Sequence, residues 1–233
     1  MRISPGVDIR DLGLFIEDTL VISDVHIGYE EELNKRGVLV PRLQFRDTVT
    51  RLEKLLRLRP RAVVVNGDMK HEFGRISEQE WRETLKILDL LTKSCGRVVL
   101  VKGNHDTILG PIAKKRDVDV ADHFCINDIY VTHGDKIPDN ADFAKAKTVI
   151  IGHEHPAVSI REENRTETFK CFLFGRWKDK KLIVQPSFNL VTEGTDVLND
   201  EVLSPFLRHD ISRFHAYVVG DRIYDFGLLK HLK

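Results

Sequence analysis

The sequence has few cysteines and no excess of charge of either sign. Its 233 residues include only Cys95, Cys125 and Cys171, without a Cys-x-x-Cys spacing. Such isolated thiols predict neither a disulfide framework nor a zinc knuckle. The 36 Lys and Arg residues balance 36 Asp and Glu residues, so the chain projects no strong basic field towards nucleic acid. We therefore expect no dedicated surface for long duplexes.

Long apolar runs are also missing from the sequence. No stretch approaches the roughly 18 residues of a membrane-spanning helix, and residues 1–6 contain no apolar signal core. These absences predict a soluble, cytoplasmic protein without a membrane partner. The length fits one domain, and we expect a single domain over residues 1–233.

Five short apolar runs each end at residues that can bind a metal. The runs are 20–23, 62–65, 98–101, 129–132 and 148–151, and they are rich in Val and Ile. Such short runs, bounded by Gly, predict strands that are buried on both faces. Open α/β sheets bind ligands at the carboxyl ends of their strands. If the five strands lie side by side, the polar residues that follow them converge on one crevice.

The residues that follow these strands supply seven candidate metal ligands. They are Asp24, His26, Asp68, Asn104, His133, His153 and His155. A catalytic zinc takes three protein ligands and a water, so seven side chains suffice for two ions if one carboxylate bridges them. Two metals can clamp the attacking and leaving oxygens of a displacement at phosphorus. The sequence therefore predicts a two-metal centre for phosphoryl chemistry.

The order and type of these motifs resemble those of calcineurin-like metallophosphoesterases. The matching elements span residues 24–155 and are Asp24-x-His26, Gly67-Asp68, Gly103-Asn104-His105-Asp106, His133-Gly134 and Gly152-His153-x-His155. The resemblance implies one metal held by Asp24, His26, Asp68 and His155. It implies a second metal held by Asp68, Asn104, His133 and His153. Asp68 would then bridge the two ions.

The residues after Asp68 narrow the resemblance. The segment Gly67-Asp68-Met69-Lys70-His71 lacks the Asp-Arg pair of the related protein phosphatases and the ligating Tyr of purple acid phosphatases. It is similar to DNA double-strand-break repair nucleases of the SbcD type, in which the His of Gly-Asp-x-x-His contacts the scissile phosphate. This implies that His71 is catalytic and substrate-binding and that the substrate is a phosphodiester. It also favours Mn, with Fe, Zn, Co and Ni as alternatives that suit nitrogen and oxygen ligands.

The neighbours of Asn104 have implied roles in catalysis. His105 can approach the leaving oxygen without binding metal, and a general acid there is worth about 10²–10⁴ in rate. Asp106 would orient that imidazole and support its protonated form. Asn104 would contact both metal and substrate. The remaining histidines, which we expect at surface or packing positions with His209 in reserve, are His123, His209, His215 and His231.

The strands and the segments between them predict an α/β fold. Amphipathic helices are expected over about 42–58, with Phe45, Val49, Leu52 and Leu56 on one face, and from the Ser77 and Glu80 capping box to Gly96. Later strands are expected at 169–174 and 182–185, with a hairpin of 214–219 and 222–226. This order fits the sandwich of the resembled family, two packed mixed sheets flanked by helices in four α-β-β-α layers.

Three functions stay open at this point. The first is a metal-dependent phosphodiesterase acting on a small molecule, a cyclic nucleotide or nucleic acid, as a nuclease would. The second is a phosphomonoesterase, which needs a cation on the free phosphate oxygen. The usual Arg is absent from its motif position, but Arg75 or Lys70 could replace it. The third, a non-catalytic scaffold, is disfavoured because the candidate ligands and His105 are intact. The sequence does not identify a protein partner or an oligomeric state.

Overall fold

The computed structural model describes residues 1–41, 43–73, 76–106, 109–162 and 165–232. The helices are α1 (Tyr29–Lys35), α2 (Gln44–Leu56), α3 (Glu78–Ser94), α4 (Gly110–Lys114) and α5 (Ala141–Lys145), and a 3-10 turn spans Leu229–His231. The strands are β1 (Arg2–Ser4), β2 (Val7–Arg10), β3 (Gly13–Ile16), β4 (Thr19–Ser23), β5 (Ala62–Asn66), β6 (Arg97–Val101), β7 (Asp119–Ala121), β8 (Phe124–Ile126), β9 (Ile129–Val131), β10 (Thr148–Ile151), β11 (Pro156–Glu162), β12 (Arg165–Trp177), β13 (Lys180–Val184), β14 (Thr195–Asp196), β15 (His215–Val219) and β16 (Ile223–Leu228).

The strands form two mixed sheets, as predicted. In the first sheet the order is β1-β2-β3-β4-β5-β6-β7, antiparallel as far as β4 and parallel from β4 to β7. The second has the order β14-β11-β12-β13-β10-β9-β8, and β15 pairs with both β12 and β16. Within it, β9, β10 and β13 run parallel. Each sheet therefore contains a set of parallel strands, and the carboxyl ends of these strands lie at the same edge of that sheet.

Successive residues of the central strands enter different hydrophobic cores. On β5, Val63 and Val65 pack against the helices of the first sheet, whereas Val64 packs between the two sheets. On β10, Ile150 packs between the sheets, whereas Val149 and Ile151 face the outer side of the second sheet. This explains why the runs are apolar at every position, since both faces of each strand are covered.

The predicted helices cover the first sheet. Helix α2 lies within the predicted range 42–58, although Arg42 falls outside the described residues, and it buries Leu52 and Leu56. The predicted capping box of α3 is confirmed, because the Ser77 side chain accepts from the Glu80 amide and the Glu80 carboxylate accepts from the Ser77 amide. No helix in the described part of the chain has the length and apolar character needed to cross a membrane.

The outer face of the second sheet is covered differently from the first. In the described residues its helical cover is the five-residue α5, and loops complete the layer with Phe206, Leu207 and Phe214. The hairpin β15-β16 matches its prediction to within two residues, whereas β12 is much longer than the predicted strand 169–174. The longer β12 reaches three partners, because it pairs with β11, β13 and β15 along its length.

The five motif-bearing strands do not lie side by side in one sheet. All five are present with ends within one residue of prediction, but β4, β5 and β6 are neighbours in the first sheet and β9 and β10 in the second. The motif residues still meet. The Gly152 amide donates to the His133 carbonyl, and the His153 amide donates to the Asp24 carboxylate at 3.1 Å, which joins the strand ends of the two sheets.

Candidate active site

All seven candidate ligands come together at this shared edge. Asp24 and His26 follow β4, Asp68 follows β5 and Asn104 follows β6 in the first sheet, whereas His133, His153 and His155 follow β9 and β10 in the second. Two triads bring their donor atoms within 4.8 Å of one another: Asp24, His26 and His155, and Asp68, His133 and His153.

In the first ligand group, which consists of Asp24, His26 and His155, the donor atoms lie close to one another. The Nε2 atoms of His26 and His155 are 3.3 Å apart, and Asp24 Oδ1 lies 3.3 Å from His155 Nε2. Asp24 is fully buried, and His26 is 5% exposed. A carboxylate and two imidazole nitrogens are thus concentrated in a site largely closed to water.

The second group is centred on His133. Its Nε2 lies 2.8 Å from Asn104 Oδ1, 3.1 Å from His153 Nδ1 and 3.4 Å from Asp68 Oδ2. The same Asp68 oxygen is 3.7 Å from His26 Nε2 in the first group. Asp68 therefore lies between the two groups, the position that a bridging carboxylate requires.

These donor sets fit divalent cations. Asp24 Oδ1 is buried and accepts no well-formed hydrogen bond from the described residues. A buried carboxylate oxygen without a partner is costly, and facing imidazole nitrogens that both carry lone pairs repel. A cation between these atoms removes both costs. Imidazole, carboxylate and amide oxygen suit Mn, Fe, Zn, Co or Ni better than a soft metal.

The electrostatics of the cluster favour the cation-binding forms of His26 and Asp24 but not that of His133. Burial and the neighbouring His155 lower the pKa of His26 to about 3, which leaves its lone pair free at neutral pH. Burial would raise the pKa of Asp24, but His155 and His133 lower it below its usual range. Burial would likewise lower the pKa of His133, yet its hydrogen bond to Asp68 and the charge of Asp24 raise it to about 9. A metal at His133 must therefore displace a proton.

Five of the seven candidate ligands have left-handed backbone conformations. The φ angles are 56° at Asp24, 48° at His26, 47° at Asp68, 62° at His153 and 50° at His155. Non-glycine residues rarely adopt these values, and such strain clusters at functional sites. The turn after each strand thus aims the ligands at the cluster, at a backbone cost that the surrounding packing sustains.

Glycines beside the ligands allow close packing of the strand ends. A Cβ on Gly103 would overlap the Asp68 carboxylate, and a Cβ on Gly152 would overlap Ser23 Oγ and Asp24 Oδ2. The glycines of the sequence motifs therefore keep the space in which ligands from neighbouring strands sit.

Replacing Gly152 by Ala is expected to lower metal affinity by about 10–100-fold, the usual cost of disturbing groups that orient ligands. The added Cβ must push the Asp24 carboxylate away from its partners. Calorimetric titration of the metal-free variant with Mn measures the change in affinity. Gly110→Ala, at a glycine with nothing within 4 Å of the added Cβ, is the control. Equal affinities of both variants would contradict the role of Gly152.

A pocket of about 370 Å³ opens beside the cluster. It is lined by His26, Tyr29, Asp68, His71, Asn104, His105, His153, Glu154, His155, Thr192, Gly194, Thr195 and Leu203. His71 and His105 both face this pocket, as the sequence predicts. None of His123, His209, His215 and His231 contributes to the described lining.

His71 connects the pocket to the first ligand group. Its Nε2 contacts a Glu32 carboxylate oxygen, and its Nδ1 lies 3.2 Å from His26 Nδ1. A proton on His71 Nε2 leaves Nδ1 to accept from His26, and this arrangement leaves His26 Nε2 free to bind metal. Both ring nitrogens of His71 thus have partners, so contact with a phosphoryl oxygen requires that one of these partners be exchanged.

The orientation of His105 differs from the sequence prediction. Asp106 does not contact its imidazole; the Asp106 carboxylate accepts from the amides of Gly103 at 3.0 Å and Met69 at 3.1 Å. Instead, His105 Nδ1 donates to the His71 carbonyl, which directs Nε2 towards the cluster. Asp106 is not available to His105 because its carboxylate closes the turn after β6. Burial and the charge of Asp68 raise the pKa of Asp106 to about 6.

A family comparison now identifies the fold and its general chemistry. The model for calcineurin-like phosphoesterases matches residues 18–210, a range that includes all seven candidate ligands. The chain belongs to this family. This phosphoesterase is therefore a hydrolase of phosphate esters, and its family uses divalent metals.

The chain is similar to several solved structures at low sequence identity. The nuclease MPE from Pseudomonas putida is 22% identical with a TM-score of 0.63, over 93% of this chain and 92% of that chain. The phosphoesterase YfcE from E. coli is 13% identical with a TM-score of 0.46, over 90% of this chain and 98% of that chain. Vps29 from Entamoeba histolytica, complexed with Zn, is 17% identical with a TM-score of 0.39, over 90% and 99% respectively. No curated protein sequence matches this phosphoesterase.

Glu80 supports the pocket wall in addition to capping α3. Its Oε1 accepts from the amides of His71 at 3.0 Å and Glu72 at 2.8 Å, while its Oε2 accepts from the Ser77 amide. Glu80 is fully buried. The sequence signals only the capping box, because hydrogen bonds to a loop nine residues upstream have no local pattern.

Glu80→Ala is expected to lower the free energy of unfolding of the phosphoesterase by about 1.5–3 kcal/mol, since buried amides lose a charged acceptor. Urea denaturation monitored by circular dichroism measures this loss. Glu78→Ala, also in the first turn of α3, is the matched control, because the Glu78 side chain makes no hydrogen bond to the described residues. A loss no larger than that of the control would contradict the double role of Glu80.

Sequence reasoning missed Glu154, which lines the pocket, and Lys170, which is absent from the described lining. Buried Glu154 accepts from the amides of Leu203 and Ser204 at 2.9 and 2.8 Å, which fixes the loop beside the pocket. Lys170 Nζ donates to Ser187 Oγ at 2.6 Å, and burial lowers its pKa to about 8. The partners of both residues come from distant segments, so motif spacing gives no sign of these contacts. The middle position of Gly152-His153-Glu154-His155 was the one available signal.

Proposed function

We propose that this phosphoesterase is a dinuclear, Mn-dependent phosphodiesterase. The observation that carries the preference for diesters is the charge of the pocket lining, in which no Lys or Arg occurs among the described residues. A bound monoester carries one more ionisable oxygen than a diester, and a cation normally balances it. A pocket lined without Lys or Arg therefore favours the singly charged diester.

The two cations considered for a monoesterase do not alter this preference. Lys70 is fully buried, and its Nζ donates to the Glu72 carbonyl, so it does not line the pocket. Arg75 lies outside the described residues. A monoesterase that depends on Arg75 would lose its monoester activity in Arg75→Ala, and this variant tests the second candidate directly.

The position of Asp68 supports two ions. Its Oδ2 is 3.7 Å from His26 Nε2 and 3.4 Å from His133 Nε2, so one carboxylate reaches both ligand groups. Bound divalent cations would acidify water and neutralise charge on the phosphoryl group. Mn suits the mixture of imidazole, carboxylate and amide ligands.

The protein residues take the remaining roles. His105, whose Nδ1 is held by the His71 carbonyl, donates a proton from Nε2 to the leaving oxygen. Asn104 contacts the substrate beside the second ligand group. His71 contacts a phosphoryl oxygen in place of its present contact with either Glu32 or His26. Asp106 holds the turn that carries His105 through the Gly103 amide.

The hydrolysis of two nitrophenyl esters tests the proposal. With Mn, kcat/KM for bis-p-nitrophenyl phosphate should exceed that for p-nitrophenyl phosphate by about tenfold or more, equivalent to about 1.4 kcal/mol in the transition state. Faster hydrolysis of the monoester would reject the diesterase. Failure to hydrolyse either ester, with metal bound, would favour the scaffold.

His71→Ala is expected to lower kcat/KM for the diester by about 10–100-fold, the cost of losing one hydrogen bond to a charged group. The monoester rate should fall less. His123→Ala, which lies against Tyr130 away from the pocket, is the control. Metal content must be measured alongside activity. A diester loss at full metal occupancy supports substrate contact, whereas a parallel loss of metal would show that His71 acts through His26.

A further inference from the structure

Four aromatic rings form a continuous column along one wall of the pocket. The ring centroids of Tyr29 and His71 are 4.2 Å apart, those of His71 and His105 are 5.3 Å apart, and those of His105 and Phe73 are 3.6 Å apart. The angles between successive planes are 35°, 32° and 34°. The column therefore ends on the ring of Phe73.

Phe73 leaves one side of its ring open to solvent. The side chain is 61% exposed although its ring lies against His105. Leu203, which lines the pocket, is a second exposed apolar side chain, at 55%. Phe73 contacts the pocket through His105, which belongs to the lining. A flat ring at the end of a column of rings offers a stacking position for one more ring.

The location of Phe73 relates this position to the reaction. Phe73 packs on His105, the proposed donor of a proton to the leaving oxygen, so the open face lies on the leaving-group side. We propose that the leaving alcohol is a nucleoside whose base stacks on Phe73, and that the substrate is a phosphodiester with an unpaired base. This inference rests on the proposed diesterase function.

The chemistry balances as a hydrolysis. The oxygen of water bonds to phosphorus, the P–O bond to the nucleoside breaks, and the leaving oxygen takes a proton from His105. The products are a nucleoside hydroxyl and a phosphate monoester. The proton released by the attacking water passes through solvent and reprotonates His105.

Stacking rather than a basic field is the expected source of binding. The charged groups beside the column are paired with each other, Glu32 with Arg36 and Lys35 with Glu72 at 3.0 Å. The net charge of the chain is zero. Base stacking on aromatic side chains is tolerant of sequence and needs an accessible base face, whereas a base in a duplex must first be flipped out. Single strands should therefore be preferred.

The test removes one base at a time from a dinucleotide. Thymidylyl-thymidine is compared with its two analogues in which either base is replaced by hydrogen on a tetrahydrofuran sugar. One of the two analogues should lose about 10–100-fold in kcat/KM, the range of single-base stacking. Phe73→Ala should cause a similar loss on the full dinucleotide and none on that analogue. Phe73→Trp should retain activity, and Leu58→Ala, at an exposed apolar residue after α2, is the control.

The outcomes separate this inference from the function on which it rests. Equal rates on the dinucleotide and both abasic analogues, or the same loss for Phe73→Ala on all three, would overturn the stacking role while bis-p-nitrophenyl phosphate is still hydrolysed. If the wild-type protein does not hydrolyse bis-p-nitrophenyl phosphate, the proposed diesterase function itself is rejected. A duplex cleaved as fast as its single strand would also contradict recognition of an unpaired base.

Discussion

Asp68→Asn is expected to reduce Mn-dependent hydrolysis to the level of the chelated wild-type protein. The Asp68 carboxylate lies between His26 and His133 and is 2% exposed. An amide lacks the charge needed to hold two cations, and its NH₂ group would face the imidazoles. The variant should therefore lose both metal occupancy and turnover.

The measurement is metal analysis with diester hydrolysis on protein stripped by EDTA and reloaded with Mn. Asp122→Asn, which removes a surface carboxylate paired with Lys102 at 3.1 Å, is the matched control and should reload fully. Wild-type activity should vanish in EDTA and return with Mn. Mn should also raise the thermal stability of the wild-type protein by mass action, and of Asp68→Asn much less. Full activity of Asp68→Asn would reject the bridge.

His105→Ala is expected to lower kcat by about 10²–10⁴ on substrates with poor leaving groups. The imidazole has one nitrogen bound to the His71 carbonyl and the other directed to the cluster, with Nε2 3.9 Å from Asp68 Oδ2. It can therefore donate a proton without being a ligand. The leaving group of a dinucleotide is a nucleoside alkoxide, which needs this proton, whereas nitrophenolate leaves without one. The loss in kcat should therefore be smaller on nitrophenyl esters.

Comparison of the dinucleotide with bis-p-nitrophenyl phosphate measures this difference. Mn content of His105→Ala should equal that of the wild-type protein. The control is His215→Ala, at a histidine of β15 that pairs with Asp225 at 3.7 Å. Equal losses on both substrates would exclude a role as acid and would indicate that His105 only positions the substrate or Asp68.

The sequence predicted the strands of this fold because their environment leaves a direct trace. A strand covered on both faces must be apolar throughout, and Val63, Val64 and Val65 satisfy two cores in turn. The start of α3 was also predictable, since a capping box is a local interaction. The division of the motif strands between two sheets was not, because apolar runs do not specify their neighbours.

The candidate site shows the same division between local and distant information. Motif order and residue type brought the seven candidate ligands to notice. The left-handed backbone at His26 and four other ligands leaves no mark in the sequence, since none of them is glycine. The partners of Asp106 and Glu80 are backbone amides, which have no residue identity to recognise. The column ending on Phe73 depends on contacts between separate loops.

A Mn titration of metal-free protein, with bound Mn and hydrolysis of bis-p-nitrophenyl phosphate followed in the same samples, tests the central claim most directly. The arrangement of two ligand groups around Asp68 predicts that activity rises only as the second ion per chain binds. Full diester activity with one ion bound, or in the presence of chelator, would contradict the dinuclear phosphodiesterase.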